Sequence, residues 1–300
     1  MPLIGYLSPE SPAPYASRLR AFREGLAEAG YVEGQNVTMM FRWAEGRYDR
    51  LPALAADLAS QPVSVIVATG GAPTALAARS ASTTIPIVFE MGGDPVRLGV
   101  VRTLARPEGN LTGVSSLSVE ASLKRLEILH ELIPSATVIG AVVNPTSPTA
   151  GNQLRNLHAA ASTLGLQLHV QEASTEDQFE AMFSAASGLR AGGLVFTSDP
   201  FFAFRSERLA ELALQHRLPA ITQSRDFTAA GGCMSYGGDF VQSHRQAGMY
   251  TGRILRGEAP GDLPVQLVTR LELSINLRTA RALGITVPLS LLARADDIIE

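Results

Sequence analysis

Short apolar runs alternate with amphipathic helical stretches along most of the chain. Extended segments are predicted at residues 3–7, 37–43, 63–68, 85–89, 137–143, 166–171, 193–197 and 219–222. Helical periodicity falls between them, at 15–29, 51–60, 73–82, 118–132, 151–164, 176–189 and 202–216. Alternation on this scale builds βαβ units, whose parallel strands are joined by right-handed crossovers with helices on both faces. The runs Val63-Ser64-Val65-Ile66-Val67-Ala68 and Val138-Ile139-Gly140-Ala141-Val142-Val143 are almost continuously apolar. Strands buried on both faces have that composition. The expected fold class is α/β, with doubly wound Rossmann-like sheets.

The chain has 300 residues, room for about two domains of ordinary size. A turn cluster, Pro107-Glu108-Gly109-Asn110, marks the break. Leu111-Thr112-Gly113-Val114-Ser115-Ser116 reads as a short extended link, and a second βαβ series starts at Thr137. The tail returns to an extended pattern at 265–273, followed by a helix from Leu277 and a final short helix. A strand and a helix left over after two complete units imply that the chain crosses between the domains more than once. The expected division is 1–116 for an N-terminal lobe and 117–230 for a C-terminal lobe. Residues 231–262 then return to the first lobe and 263–300 to the second.

Composition excludes several classes. At 46% hydrophobic and 18% charged, the chain is not disordered. A net charge of −3 argues against a nucleic-acid binder. Cys233 is the one cysteine, so there is no internal disulfide and no CxxC metal site. No apolar run reaches the roughly 18 residues of a membrane helix. The chain enters Leu3-Ile4-Gly5-Tyr6-Leu7 directly, with no basic and apolar leader before it. Two readings fit: a cytoplasmic protein, or a mature chain whose signal peptide has been removed.

Ligands of parallel α/β sheets gather beyond the carboxyl ends of the strands. The residues there are Ser8, then Thr69-Gly70-Gly71-Ala72-Pro73-Thr74, then Gly92-Gly93-Asp94-Pro95. In the second half they are Asn144-Pro145, Ser198-Asp199-Pro200 and Gln223-Ser224-Arg225. Glycines in Thr69–Ala72 allow close backbone approach, and N–H groups at a helix start suit a carboxylate or phosphate. A plain helix cap is the alternative. The loop is neither GxGxxG nor a Walker loop, so no nucleotide cofactor is expected. Asp94 and Asp199 can each receive an ammonium group or cap the following helix. Tyr236 is a candidate cleft aromatic, and Asp239 an N-cap.

Catalytic constellations are poor. The histidines at 130, 158, 169, 216 and 244 are dispersed, and no HExxH or GxSxG occurs. Cys233 reads as a buried structural residue. Phe201, Phe202 and Phe204 either wall a ligand or pack helix on sheet, and packing is favoured for at least two. No metal site, cofactor or enzymatic activity is expected.

Several segments together carry a resemblance. They are Ile4-Gly5-Tyr6-Leu7, Arg42-Trp43-Ala44-Glu45-Gly46, Gly92-Gly93-Asp94-Pro95-Val96 and Asn110-Leu111-Thr112-Gly113-Val114-Ser115. Lys124-Arg125-Leu126-Glu127, Val143-Asn144-Pro145, His216-Arg217-Leu218-Pro219-Ala220 and Ser235-Tyr236-Gly237 continue the series, to Leu277-x-Thr279-Ala280-x-x-Leu283-Gly284. In this order they resemble the ABC-transporter substrate-binding proteins of the tryptophan-uptake-like group, end to end. The resemblance implies a type I periplasmic-binding fold, in which two lobes joined by three crossings close on a ligand in an interlobe cleft. It implies an extracytoplasmic, periplasmic monomer. Such a protein delivers a small solute, best an aromatic or branched amino acid, to a membrane permease with its cytoplasmic ATPase. Carried over by position, the contacts are Ser8, Thr69, Gly70, Gly71, Ala72 and Asp94 in one lobe. Asn144, Ser198 and Asp199 serve in the other, with Tyr236 near a crossing. Tyr15, Phe89, Phe201 or Tyr236 would line the apolar part. The alternatives are a ligand-sensing effector domain of a regulator and, third, an α/β enzyme with an interdomain site.

Overall fold

The computed structural model describes residues 1–300. Thirteen strands form in chain order. They are β1 (Leu3–Ser8), β2 (Thr38–Trp43), β3 (Val65–Ala68), β4 (Ile87–Met91), β5 (Leu111–Ser115), β6 (Val138–Val143) and β7 (Gln167–Glu172). The rest are β8 (Gly193–Phe196), β9 (Ala220–Thr222), β10 (Met234–Gly238), β11 (Gln266–Leu267), β12 (Leu271–Asn276) and β13 (Asp297–Ile299). The helices are α1 (Ala16–Glu28), α2 (Leu51–Ser60), α3 (Ala72–Ala81), α4 (Ser122–Leu132), α5 (Ala150–Leu164) and α6 (Phe179–Gly188). They continue with α7 (Pro200–Ala203), α8 (Ser206–Gln215), α9 (Arg225–Ala229), α10 (Phe240–Leu255), α11 (Leu277–Ala282) and α12 (Leu289–Leu292).

Two compact α/β units result. Unit 1 comprises Met1–Leu117 and Asp239–Arg270, and unit 2 comprises Ser118–Gly238 and Leu271–Glu300. The chain therefore passes from one unit to the other three times, at 117–118, 238–239 and 270–271. Unit 1 holds a six-stranded sheet ordered β11-β5-β4-β3-β1-β2, parallel throughout. Unit 2 holds seven strands ordered β13-β12-β10-β9-β8-β6-β7, and only the β10–β12 pair is antiparallel. Both are the doubly wound sheets that the alternation predicts.

The two apolar runs are the sheet centres. All of β3 is buried, as is β6 after its first residue. In unit 1, Leu58, Ile66, Ala75, Ile87 and Phe89 form the core between the sheet and α2 and α3. Leu126, Leu129, Ile139, Leu157 and Val195 do the same between the sheet, α4 and α5 of unit 2.

Several segments differ from the sequence reading. Residues 263–270, expected in the second lobe, belong to unit 1, where β11 pairs with β5. The supposed link at 111–116 is β5, a buried strand paired with both β4 and β11. Residues 234–238, expected in the first lobe, are β10 of unit 2, because they pair with β9 and β12 there. The helix expected at 202–216 is two helices, α7 and α8, and the one expected from 118 starts at Ser122.

Candidate functional site

The strand-end residues of unit 1 collect at one sheet edge, because β1, β3 and β4 are parallel neighbours. Ser8 closes β1 and its Oγ accepts the Glu10 N–H at 3.3 Å. β3 leads into Thr69-Gly70-Gly71 and then α3. Gly70 has φ of +86°, and a Cβ there would lie 2.7 Å from Pro9 Cδ, so glycine is required.

Glu90, on β4, pins this loop. Its Oε2 accepts the Gly70 N–H and its carbonyl accepts the Gly71 N–H, both at 3.1 Å. Two N–H groups expected to serve a ligand are therefore spent inside the protein. The open donors lie one step further on, at Ala72 and Thr74 in the first turn of α3. No side chain caps that helix, and Pro73 carries no N–H. The Thr74 hydroxyl is buried there without a hydrogen-bond partner.

Behind the loop lies a buried polar chain. Thr69 Oγ1 is 2.9 Å from the Tyr6 hydroxyl and 2.7 Å from that of Tyr15. The Tyr15 hydroxyl is 2.6 Å from His244 Nε2, on α10. His244 Nδ1 lies 2.7 Å from the Phe240 carbonyl, which can only accept. Nδ1 therefore carries the proton, and Nε2 accepts from Tyr15. Burial pushes the His244 pKa down to about 3, so the ring is neutral at pH 7. Burial raises Glu90 to about 7, against the opposing pull of the Gly70 N–H and the Arg18 charge. Burial also raises both tyrosines. His244 Nε2 and Glu90 Oε2 are 3.7 Å apart, and with a neutral imidazole that contact is not an ion pair. Asp94 Oδ1 accepts from the Val96 and Arg97 N–H groups at 2.8 and 3.2 Å, a local turn cap that leaves Oδ2 outside it.

The unit 2 residues are held as tightly. Asp199 Oδ1 caps α7 through the Phe201 N–H at 3.0 Å and accepts from Asn144 Nδ2 at 3.1 Å. Asn144 Oδ1 in turn accepts from the Thr146 N–H and hydroxyl. Ser198, expected to contact a ligand, has both donors taken inside the protein. Its N–H goes to Gln153 Oε1 at 2.6 Å and its hydroxyl to the Ser118 carbonyl at 2.8 Å. Arg125 Nη2 donates to the same Ser198 Oγ at 2.6 Å. Tyr236, on β10, is partly exposed, and its carbonyl accepts from Arg125 Nη1 at 2.9 Å.

The aromatic candidates divide. Phe89 is in the unit 1 core. Phe201 and Phe202 are buried in a ring cluster with Phe179 and Phe196, the packing role that was favoured. Cys233 is buried and its thiol is pushed up to about 12, as a structural cysteine requires. Asp239 caps α10 through the Gln242 N–H. Sequence reasoning gave His244 and Thr74 no individual role, missed Gln153, and gave Arg125 no role beyond the resemblance. No sequence pattern points to the partner of Glu90, because that partner is a backbone N–H.

Two α/β units threaded three times thus carry polar strand-end loops. The sequence pattern described as "ABC transporter substrate binding protein" matches residues 10–299. The chain belongs to that family. It is 27% identical over 265 residues to a "Tyrosine-binding protein" of Clostridioides difficile (strain R20291), covering 88% of this chain and 75% of that one. Among solved structures it is similar to a "conserved domain protein" from Vibrio cholerae O1 biovar El Tor, with 30% identity and a TM-score of 0.89. That alignment covers 99% of this chain and 98% of the other. A TM-score of 0.89 at 23% identity, over 99% of both chains, relates its fold to the ABC domain from Streptococcus pneumoniae solved with L-Trp. No helix of this family member is long and apolar enough to cross a membrane.

Proposed function

We propose that this substrate-binding protein captures an aromatic amino acid outside the cytoplasm and delivers it to an ABC importer. The observation that carries this reading is the tyrosine-binding relative, similar over 88% of the chain. The L-Trp-bound structure of the same fold agrees with it. The partners are a membrane permease and its ATPase, and the protein works as a monomer without catalysis.

The residues support a zwitterion. The open N–H groups of Ala72 and Thr74, at the positive end of α3, suit the α-carboxylate. Asp94 Oδ2 lies outside the turn that Oδ1 caps and is assigned the ammonium. Ser8, Tyr15, Thr69, Gly70 and Gly71 shape the unit 1 wall. Asn144, Ser198 and Asp199 shape the unit 2 wall, with the partly exposed Tyr236 as its aromatic face. The test is isothermal titration of ligand-stripped protein and of Asp94→Asn, which keeps the Oδ1 cap and removes the charge. The wild type is expected to bind L-tyrosine or L-tryptophan, with affinity at least tenfold weaker in the variant. Equal affinity would remove Asp94 from the site.

A further inference from the structure

Arg125, on α4, is wholly buried, and none of its hydrogen bonds goes to a carboxylate. Its Nε has no partner. Glu120 acts on it as an attractive charge, but the cost of burial outweighs that attraction, and an apolar side chain of similar size would fill the space more cheaply. The guanidinium does something packing cannot. Nη1 donates to the Tyr236 carbonyl at 2.9 Å. Nη2 reaches the Ser118 carbonyl at 3.2 Å, Ser122 Oγ at 2.8 Å and Ser198 Oγ at 2.6 Å.

These partners have defined places in the chain. Ser118 is the first residue of unit 2 after the passage at 117–118. Tyr236 stands two residues before the passage at 238–239. Ser198 lies in the loop after β8, next to Asp199, and its hydroxyl passes the restraint on to the Ser118 carbonyl. One planar fork thus holds a strand-end loop to two segments by which the chain enters and leaves the unit. Lysine, a single point of charge, cannot span those directions.

We propose that Arg125 is a positioning residue for solute binding. It locks the Ser198–Asp199 loop to the entering and leaving segments of unit 2, and so fixes the solute contacts of that unit. The link to affinity rests on the solute-binding reading above. The lock itself does not.

The experiment compares full-length wild type, Arg125→Met, Arg125→Lys and Leu157→Ala, a core change elsewhere in unit 2. Hydrogen exchange without solute is expected to accelerate at least tenfold across 197–204 and 234–238 in Arg125→Met. The change should be smaller in Arg125→Lys, and local protection there should be retained in Leu157→Ala. For L-tyrosine or L-tryptophan, whichever the wild type binds, Kd should rise at least tenfold in Arg125→Met and hold in Leu157→Ala. If Arg125→Met does not fold, Arg125→Lys and Ser198→Ala carry the same comparison. Unchanged exchange, or an equal rise in Leu157→Ala, would overturn the lock. Faster exchange with unchanged Kd would overturn the role in binding. A wild type that binds neither amino acid sinks the solute reading, and the exchange result still decides the lock.

Discussion

The Tyr15 hydroxyl sits 2.6 Å from His244 Nε2, joining the residue before α1 to α10 across 229 positions of sequence. The same hydroxyl lies 2.7 Å from Thr69 Oγ1, so one oxygen serves both the helix pair and the strand-end loop. Tyr15→Phe keeps the ring and strands a buried acceptor, which costs about 1–3 kcal/mol. At roughly 2–4 °C per kcal/mol for a unit of this size, the melting temperature should fall by about 2–12 °C. Calorimetry at pH 7.5 checks this, and an unchanged melt would show that the pair contributes nothing to stability.

Glu90 and His244 impose opposite pH dependences on the fold. The Glu90 pKa is raised from 4.5 to about 7. Its favourable contribution is complete below pH 4.5 and is lost as pH rises through 7, where a buried carboxylate must ionise. Glu90→Gln keeps an acceptor for the Gly70 N–H and removes that penalty. Its stability relative to wild type should grow between about pH 4.5 and 7 and then level off, by roughly 1–3 kcal/mol. Denaturant melts at a series of pH values read this directly. The His244 pKa is lowered from 6.5 to about 3. Stability from the neutral ring is therefore present above pH 6.5 and lost as pH falls towards 3. His244→Gln should melt with a shallower acid limb than wild type over that window.

Helices α1 and α10 meet backbone to backbone. A Cβ at Gly248 would lie 2.1 Å from the Phe22 carbonyl oxygen, and one at Gly25 would lie 1.9 Å from that of Arg245. Gly248→Ala must push the helices apart, at a cost of about 1–3 kcal/mol or more. Gly151, in α5, meets only the end of the Arg155 side chain, at 3.6 Å. Gly151→Ala should stabilise by up to about 1 kcal/mol, from helix propensity alone. Paired urea melts of the two variants test the contrast, and equal effects would refute the close packing.

Much of the fold was legible because apolar continuity marks strands buried on both faces. β3 and β6 stand out in that way. β5 did not, since Leu111-Thr112-Gly113-Val114-Ser115 is short and half polar. Its burial comes from β4 and β11, and β11 arrives about 150 positions later. β10 was assigned to the wrong side of a passage for the same reason: pairing with β9 and β12 is a long-range fact. The strand-end loops were found by position, but not how their groups are used. Nothing local in the sequence says that the Gly70 N–H is taken by Glu90 or the Ser198 hydroxyl by the Ser118 carbonyl. Arg125 was visible only as part of a motif. That its charge is buried among carbonyls and hydroxyls depends on three segments that folding brings together.

The most direct test of the account is isothermal titration of L-tyrosine and L-tryptophan into stripped protein, with sugars and nucleosides as controls. The account predicts saturable one-to-one binding of at least one of the two amino acids, with a dissociation constant of about 1 μM or below (about −8 kcal/mol). No heat with either amino acid, together with saturable binding of a control solute, would contradict it.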